Sequence, residues 1–176
     1  MTKELPKRKS LRLKNYDYST TGYYFITILT DDRKNLFGSI KNEKIVLNDL
    51  GLIANNTWLS IPQHFSNITL DEYVIMPNHM HGIFLYSTDE EHKCEDKKIA
   101  KSIGTFLQSY KATVTRESRS NRLRQNVWQR NYYEHVIRNE DELSKTREYI
   151  KYNPLKWDLD RNNLESTRLV SNGSIY

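Results

Sequence analysis

The feature that most constrains the fold of this sequence is a pair of apolar segments separated by Met76-Pro77-Asn78. Ile68–Ile75 is predicted to be a strand, and His79–Tyr86 resumes as a second strand after the break. Pro77 and Asn78 favour a tight reversal of the chain between the two. Strands joined in this way run antiparallel, so the sequence predicts a β-hairpin here.

Further elements alternate around this hairpin. A first strand is predicted at residues 23–30, where β-branched and aromatic residues concentrate, and a last strand at 132–137. Helices are predicted at 48–61 and 99–116, because apolar residues recur there at spacings of three and four. A short hairpin is expected at 37–45. An arginine-rich stretch that follows residue 116 is predicted to be a loop.

One more helix closes the pattern. Asn139 is expected to cap it, with Glu142 completing a capping box. It should end near Asn153, because Pro154 disfavours helical geometry in the residue before it. Leu143 and Ile150 share the side of this helix that we expect to face the core.

The order of elements predicts an α+β fold, namely a ferredoxin-like or RRM-like βαββαβ antiparallel sheet with helices on one face. The C-terminal helix is added to it. We expect one domain over residues 1–157, with a basic N-terminal arm, and a polar tail over 158–176 that frays. The exposed face of such a sheet is a frequent nucleic-acid platform.

Composition excludes several classes of protein. No apolar stretch is long enough to span a membrane, and residues 1–14 lack the apolar core of a secretory signal. A single cysteine, Cys94, rules out an internal disulfide framework and suits a reducing cytosol. We therefore expect a cytoplasmic protein with no membrane partner.

The chain is basic, with 27 lysines and arginines against 22 acidic residues. The excess is concentrated near the N-terminus and between residues 116 and 130. Two interpretations remain open. These segments can be solvated charge runs, or they can form a surface that binds phosphates.

His79-Met80-His81 is the sharpest chemical signal in the sequence. Side chains alternate along a strand, so the two imidazoles point to the same face and can share one divalent ion. Burying both rings without partners would be costly. Two ligands are too few for a closed structural zinc site, so the pattern indicates an open site that another side chain, substrate and water complete. A purely structural role for either ring stays open.

A second constellation lies on the last helix, where Tyr149 and Asn153 are four residues apart and face the same side. The chain has 12 tyrosines, most of which must pack, and Asn153 could equally be a helix cap. Spacing alone does not decide between these roles.

Four ordered segments carry a family resemblance. Residues 73–84 (YVIMPNHMHGIF) look like the HUH motif of the REP-associated tyrosine transposases, relatives of the small single-tyrosine insertion-sequence transposases. Residues 22–28 (GYYFITI) with 36–38 (LFG) resemble their opening strand. Residues 127–138 (VWQRNYYEHVIR) and 148–154 (EYIKYNP) resemble the segments that precede and carry their nucleophile.

The resemblance implies that Tyr149 is the nucleophile and that His79, His81 and Asn153 ligate a divalent metal, Mg²⁺ or Mn²⁺. A glutamine often stands at the Asn153 position in the insertion-sequence enzymes, so this third ligand is less secure than the histidines. Tyr152 is a competing nucleophile, because it lies only three residues from Tyr149 and helical geometry does not exclude it.

The resemblance also implies strand cleavage and transfer on single-stranded or hairpin DNA through a 5′-phosphotyrosine link, in a nucleoid-associated protein. Arg12, Lys111, Arg130 and Arg138 are expected to contact DNA, and His135 to support the site. Exposed tyrosines among Tyr23, Tyr132 and Tyr133 could stack on bases. Both a monomer and a homodimer are compatible with the family. A nucleic-acid-binding module without catalysis, and a metal-dependent nuclease that uses water, are the alternative functions.

Overall fold

A four-stranded antiparallel sheet forms the centre of the computed structural model, which describes residues 21–87, 103–124, 126–160 and 162–163. Its strands are β1 (Gly22–Leu29), β4 (Ile68–Ile75), β5 (His79–Tyr86) and β6 (Tyr133–Ile137), in the order β4-β5-β1-β6. Every neighbouring pair is antiparallel. The predicted α+β fold with a βαββαβ sheet is therefore confirmed.

A separate two-stranded sheet follows β1. It consists of β2 (Gly38–Lys41) and β3 (Lys44–Leu47), joined by Asn42 and Glu43, both of which have positive φ. Two such residues are what a tight type I′ hairpin requires. The predicted hairpin is confirmed, although its second strand ends two residues later than expected.

The helices occupy both faces of the main sheet. They are α1 (Asp49–Leu59), the single turn α2 (Ile61–His64), α3 (Ile103–Ser120) and α4 (Glu140–Lys151). α1 and α3 pack on one face, as predicted, and α4 covers part of the other. Asn48 and Asn139 cap α1 and α4 by accepting the backbone N–H of the third residue beyond them.

Two predictions about irregular segments are wrong. α3 continues to Ser120, so the first part of the predicted arginine-rich loop is helical. The Ser118 hydroxyl donates to the carbonyl of Arg124, which ties the helix end to the chain that follows. The predicted fraying from Asp158 is also wrong for its described part. Trp157–Leu159 forms a 3-10 turn, and Asn162 and Asn163 are buried.

Alternation along β1 and β5 divides the core in two. Tyr24, Ile26 and Ile28 face α1 and α3 in a large apolar cluster, whereas Phe25 and its neighbours face α4. Gly82 belongs to the first face, where an added Cβ would lie 2.7 Å from the Trp58 ring. The absence of a side chain at Gly82 is thus what lets this tryptophan lie against the sheet.

Within the described parts of the chain, no helix has the length and apolar character needed to cross a membrane.

Candidate active site

His79 and His81 lie side by side on β5, on the face that α4 partly covers. Both side chains are buried, and their Nε2 atoms are 3.1 Å apart. Two nitrogens that bind one ion at about 2.1 Å each, at right angles, would be separated by about 3.0 Å. The predicted shared orientation of the two imidazoles is present, and their spacing fits a common metal ion.

Hydrogen bonds fix the orientation of His79. The Asn78 Nδ2 group donates to the carbonyls of Arg33 and Asn162, at 3.1 and 2.7 Å, which assigns the Asn78 amide. Its Oδ1 therefore accepts from His79 Nδ1 at 2.8 Å. The proton of His79 is thus held on Nδ1, and the lone pair of Nε2 points toward His81, the arrangement that metal-binding histidines adopt.

His81 has an equivalent partner on the neighbouring strand. The Thr27 hydroxyl lies 2.8 Å from His81 Nδ1, and Thr27 is directly opposite His81 in the β1–β5 register. When the hydroxyl accepts from Nδ1–H, Nε2 is the nitrogen available to a metal. The Phe25 ring stacks on the His81 imidazole and restricts its rotation.

Oxygen donors of two residues, Asp160 and Asn153, line the same cavity as His81. The carboxylate Oδ2 of Asp160 lies 3.8 Å from His79 Nε2, and ligand atoms of His79, His81 and Asp160 all fall within 4.8 Å of one another. Asn153 is 3% exposed, and its Oδ1 has no hydrogen-bond partner among the described residues. Two imidazole nitrogens with carboxylate or amide oxygens form a donor set that suits a divalent cation.

Tyr149 projects from α4 toward the same histidines. Its Oη is 3.2 Å from His81 Nε2, and its ring contacts those of His81 and Phe25 edge-on. The side chain is 43% exposed, so a substrate can reach the hydroxyl. Tyr152 is equally exposed at 45%, but it does not line the cavity that contains His81.

An ion pair anchors the helix that carries Tyr149. Arg147 donates from Nε and Nη2 to the two carboxylate oxygens of Asp71 on β4, at 2.9 and 2.5 Å. This two-point contact lowers the pKa of Asp71 below its ordinary value of 3.8, chiefly through the hydrogen bond from Arg147. Together with the burial of Leu143 and Ile150 against Ile83 and Ile137, it sets the position of α4 on the sheet.

An open cavity of about 1090 Å³ surrounds Tyr149 and joins the uncovered part of the sheet to α4. Tyr133 is 46% exposed in this cavity, whereas Tyr132 packs against the main core and Tyr23 against the α4 cluster. Of the three tyrosines considered for base stacking, Tyr133 is the one that the cavity presents. Basic side chains also line it: Arg138, Lys145 and Lys156.

His135 lies in the same cavity, paired with Glu142. Its Nε2 is 2.6 Å from Glu142 Oε1, and Glu142 Oε2 accepts the backbone N–H of Arg138. Two hydrogen bonds lower the pKa of Glu142: the larger effect comes from the backbone N–H of Arg138, and the next from the His135 side chain. The predicted capping box is therefore altered, because Glu142 accepts from the residue before the cap and also binds His135.

Two other residues expected to contact DNA do not line the cavity around Tyr149. Lys111 and Arg130 line a second cavity, of about 800 Å³, between α3 and the segment that precedes β6. The Lys111 ammonium donates to the carbonyls of Gln129 and Arg130, and burial lowers its pKa to about 8. Arg12 lies outside the described residues.

Sequence reasoning missed three residues of this site: Thr27, Asn78 and Asp160. Thr27 lies opposite His81 in the register between β1 and β5, which no local pattern in the sequence fixes. The sequence pattern at Asn78 predicts only a turn. Asp160 carried no local signal, because it sits in a polar segment after the last helix.

Comparisons with known proteins identify relatives in sequence and in fold. No protein-family model matches the chain. An uncharacterized protein of Haemophilus influenzae is 41% identical over 165 residues, which cover 88% of this chain and 92% of that protein. Another H. influenzae protein, named "Putative REP-associated tyrosine transposase", is 25% identical over 146 residues, covering 82% and 77% of the two chains.

A solved structure has a related fold. It is that of a REP-associated tyrosine transposase bound to a REP hairpin, with a TM-score of 0.60 and 19% identity over 83% of this chain and 74% of that one. At this identity the likeness concerns the fold. The chain therefore belongs to one family with the uncharacterized H. influenzae protein, and it resembles the REP-associated tyrosine transposases in both sequence and fold.

Proposed function

We propose that this protein is a transposase-like enzyme that cleaves and rejoins single-stranded DNA at hairpin or repeat sequences. Tyr149 is the nucleophile, and His79 and His81 hold a divalent metal ion. The observation that carries this proposal is the convergence of three groups. Tyr149 Oη lies 3.2 Å from His81 Nε2, which in turn lies 3.1 Å from His79 Nε2.

The reaction exchanges one phosphodiester for another. A tyrosine hydroxyl ordinarily has a pKa near 10, so Oη of Tyr149 must give up its proton to water as it bonds to the phosphorus. The bond from phosphorus to the 3′-oxygen breaks, and that oxygen leaves as a 3′-hydroxyl after taking up a proton. The protein then carries a 5′-phosphotyrosine. A second 3′-hydroxyl can reverse the step and join strands without ATP.

The metal ion, when bound, polarises the scissile phosphate and stabilises the charge that develops on its oxygens. Imidazole ligands suit Mn²⁺, and the oxygen donors nearby suit Mg²⁺ as well as Mn²⁺. The chain's own contribution is orientation. Asn78 and Thr27 hold the two imidazoles, and the Asp71–Arg147 pair holds the helix of Tyr149.

Single-stranded DNA suits the cavity around Tyr149. Tyr133 and Phe25 provide rings on which an unpaired base can stack, and Arg138, Lys145 and Lys156 can meet the backbone phosphates. The structural relative was solved bound to a REP hairpin, which supports a hairpin substrate for this protein as well. In this chain α4 docks on its own sheet, which supports catalysis within one protomer.

Incubation with a labelled single-stranded hairpin DNA and Mn²⁺ tests the proposal. We expect a covalent protein–DNA adduct that survives denaturation and does not form when the metal is chelated beforehand. The adduct should be absent in Tyr149→Phe and retained in Tyr152→Phe, which is a matched control because both tyrosines lie at the same end of α4 and are similarly exposed.

The alternatives predict different products. Cleavage without an adduct would identify a nuclease that uses water. Binding of the hairpin with neither cleavage nor adduct would identify a nucleic-acid-binding module. An adduct that persists in Tyr149→Phe and disappears in Tyr152→Phe would move the nucleophile to the other tyrosine.

A further inference from the structure

The described part of the segment after α4, residues 157–160 and 162–163, turns back onto His79; we refer to it as the post-helix segment. Trp157 stacks on the His79 imidazole with ring centroids 6.1 Å apart and an interplanar angle of 28°. The carbonyl of Asn162 accepts the 2.7 Å hydrogen bond from Asn78, the residue that orients His79. The segment thus touches one metal-ligand candidate by two routes.

The carboxylate of Asp160 is the most constrained group of this segment. Its side chain is 5% exposed. One oxygen, Oδ1, accepts the backbone N–H of Asn162 at 2.6 Å, which fixes the carboxylate plane. The other, Oδ2, faces His79 Nε2 at 3.8 Å. The hydrogen bond within the segment therefore aims the second oxygen at the histidines.

A buried carboxylate needs a cation beside it, because removing its charge from water is costly. Among the described residues, the ionisable partner within ion-pair distance of Asp160 is His79, whose Nδ1 proton already binds Asn78. At 3.8 Å, Oδ2 is too far from Nε2 for a hydrogen bond. Among the described residues, no lysine or arginine lies within ion-pair distance of this carboxylate, which is buried opposite the two imidazoles.

A second group at the same cavity indicates a cation independently. The Oδ1 of Asn153 is buried and has no hydrogen-bond partner among the described residues. It lines the cavity with His81 and Asp160. One divalent ion held by the two imidazoles would neutralise the Asp160 carboxylate, and it would offer a partner to the Asn153 oxygen in the same cavity.

We propose that Asp160 is itself a metal-ligating residue, so that the ion and the post-helix segment stabilise one another. This inference rests on the proposed function and adds Asp160 to the ligand set implied by family resemblance, which consists of His79, His81 and Asn153. An anionic oxygen contributes more than a neutral amide to holding Mg²⁺ or Mn²⁺. Since binding linkage is reciprocal, the ion holds the segment as firmly as the segment holds the ion.

Mn²⁺ binding measures the role of Asp160 directly. Calorimetric titration of the full chain should show Mn²⁺ affinity weakened by about tenfold or more in Asp160→Asn. Asp158→Asn should match the wild type, since Asp158 lies in the same segment but is exposed. Thermal unfolding without metal checks that both variants are folded.

Hydrogen–deuterium exchange of peptides covering residues 157–163 provides a second readout that needs no variant. Mn²⁺ should slow exchange there in the wild type and in Asp158→Asn, but not in Asp160→Asn. Equal Mn²⁺ affinities in the wild type and Asp160→Asn, or exchange that Mn²⁺ leaves unchanged in the wild type, would overturn the inference while leaving the proposed function intact. If the wild type binds no Mn²⁺, both this inference and the metal-dependent part of the proposed function would be wrong.

Discussion

The two faces of the central sheet differ in what their side chains do, although the same strands supply both. The face toward α1 and α3 is a continuous apolar core in which aromatic rings contact one another. The ring centroids of Phe84 and Phe106, for example, are 4.8 Å apart. The face toward α4 has a small apolar cluster at one end and a cavity of polar and ionisable groups at the other.

The same difference between the two faces is seen within the single strand β5. Met80 and Phe84 point into the large core, whereas His79 and His81 point toward Tyr149. Alternation therefore lets one apolar strand stabilise the fold and carry buried imidazoles at the same time. His79 and His81 are therefore buried on the α4 side of the sheet and are not part of the large hydrophobic core.

The largest expected effect is a loss of folding stability, and it should distinguish a core residue of β5 from a metal-ligand candidate on the same strand. Phe84→Ala should lower the free energy of unfolding by about 3–5 kcal/mol, because it leaves a cavity among aromatic rings. His81→Ala should lower it by less than about 2 kcal/mol, since the desolvation of a polar ring offsets its contacts. The second variant should nevertheless lose Mn²⁺ binding and adduct formation.

Urea denaturation and Mn²⁺ titration of both variants check this contrast. A His81→Ala protein that is as unstable as Phe84→Ala would show that the imidazole is a packing residue, and the two faces would then not differ as described.

A smaller effect is expected at Thr27, whose hydroxyl is 2.8 Å from His81 Nδ1. Thr27→Val keeps the shape of the side chain but removes this partner, so the imidazole is less well oriented for a metal. Mn²⁺ affinity should fall by about tenfold, with little change in the far-UV spectrum. Thr69→Val, at an exposed position of β4, is the control and should bind Mn²⁺ like the wild type.

The smallest effect concerns the attachment of α4. Because Arg147 lowers the pKa of Asp71 below 3.8, the pair contributes stability above that pH, and this contribution is lost as the pH falls through the lower, folded-state pKa. Asp71→Asn should be less stable than the wild type by about 1 kcal/mol at pH 7, a modest value because Arg147 is more than one-third exposed.

Denaturation of the wild type and Asp71→Asn at pH 7 and at pH 3 or below measures this difference, which should narrow at acidic pH. Glu72→Gln, the exposed neighbour, should show no such pH-dependent difference. A difference between wild type and Asp71→Asn that persists undiminished in acid would mean that packing, and not the ion pair, anchors the helix there.

How much of this could be predicted from sequence depends on the range of the interactions. The shared face of His79 and His81 follows from the two-residue period of one strand. The four-residue spacing of Tyr149 and Asn153 predicts that they share one side, and both line the same cavity although α4 ends at Lys151. Both are local regularities. The turn at Pro77 and Asn78 predicts that β4 and β5 are antiparallel neighbours, which the structure confirms.

The rest of the site depends on contacts that no local pattern encodes. Thr27 reaches His81 through the register between β1 and β5, which the sequence leaves undetermined. Asp160 reaches His79 because Trp157, Asn162 and Asn163 pack the chain back onto the sheet. A run of polar residues with one tryptophan resembles a frayed terminus until those tertiary contacts are known.

The central claim is that Tyr149 bonds covalently to DNA, and peptide mass spectrometry of the trapped adduct tests it most directly. Trypsin cuts after Arg147, Lys151 and Lys156, so Tyr149 and Tyr152 fall in different peptides, 148–151 and 152–156. After nuclease trimming, the account predicts a nucleotide phosphate mass on peptide 148–151, dependent on Mn²⁺. The same mass on peptide 152–156, or on neither peptide while DNA is cleaved, would contradict it.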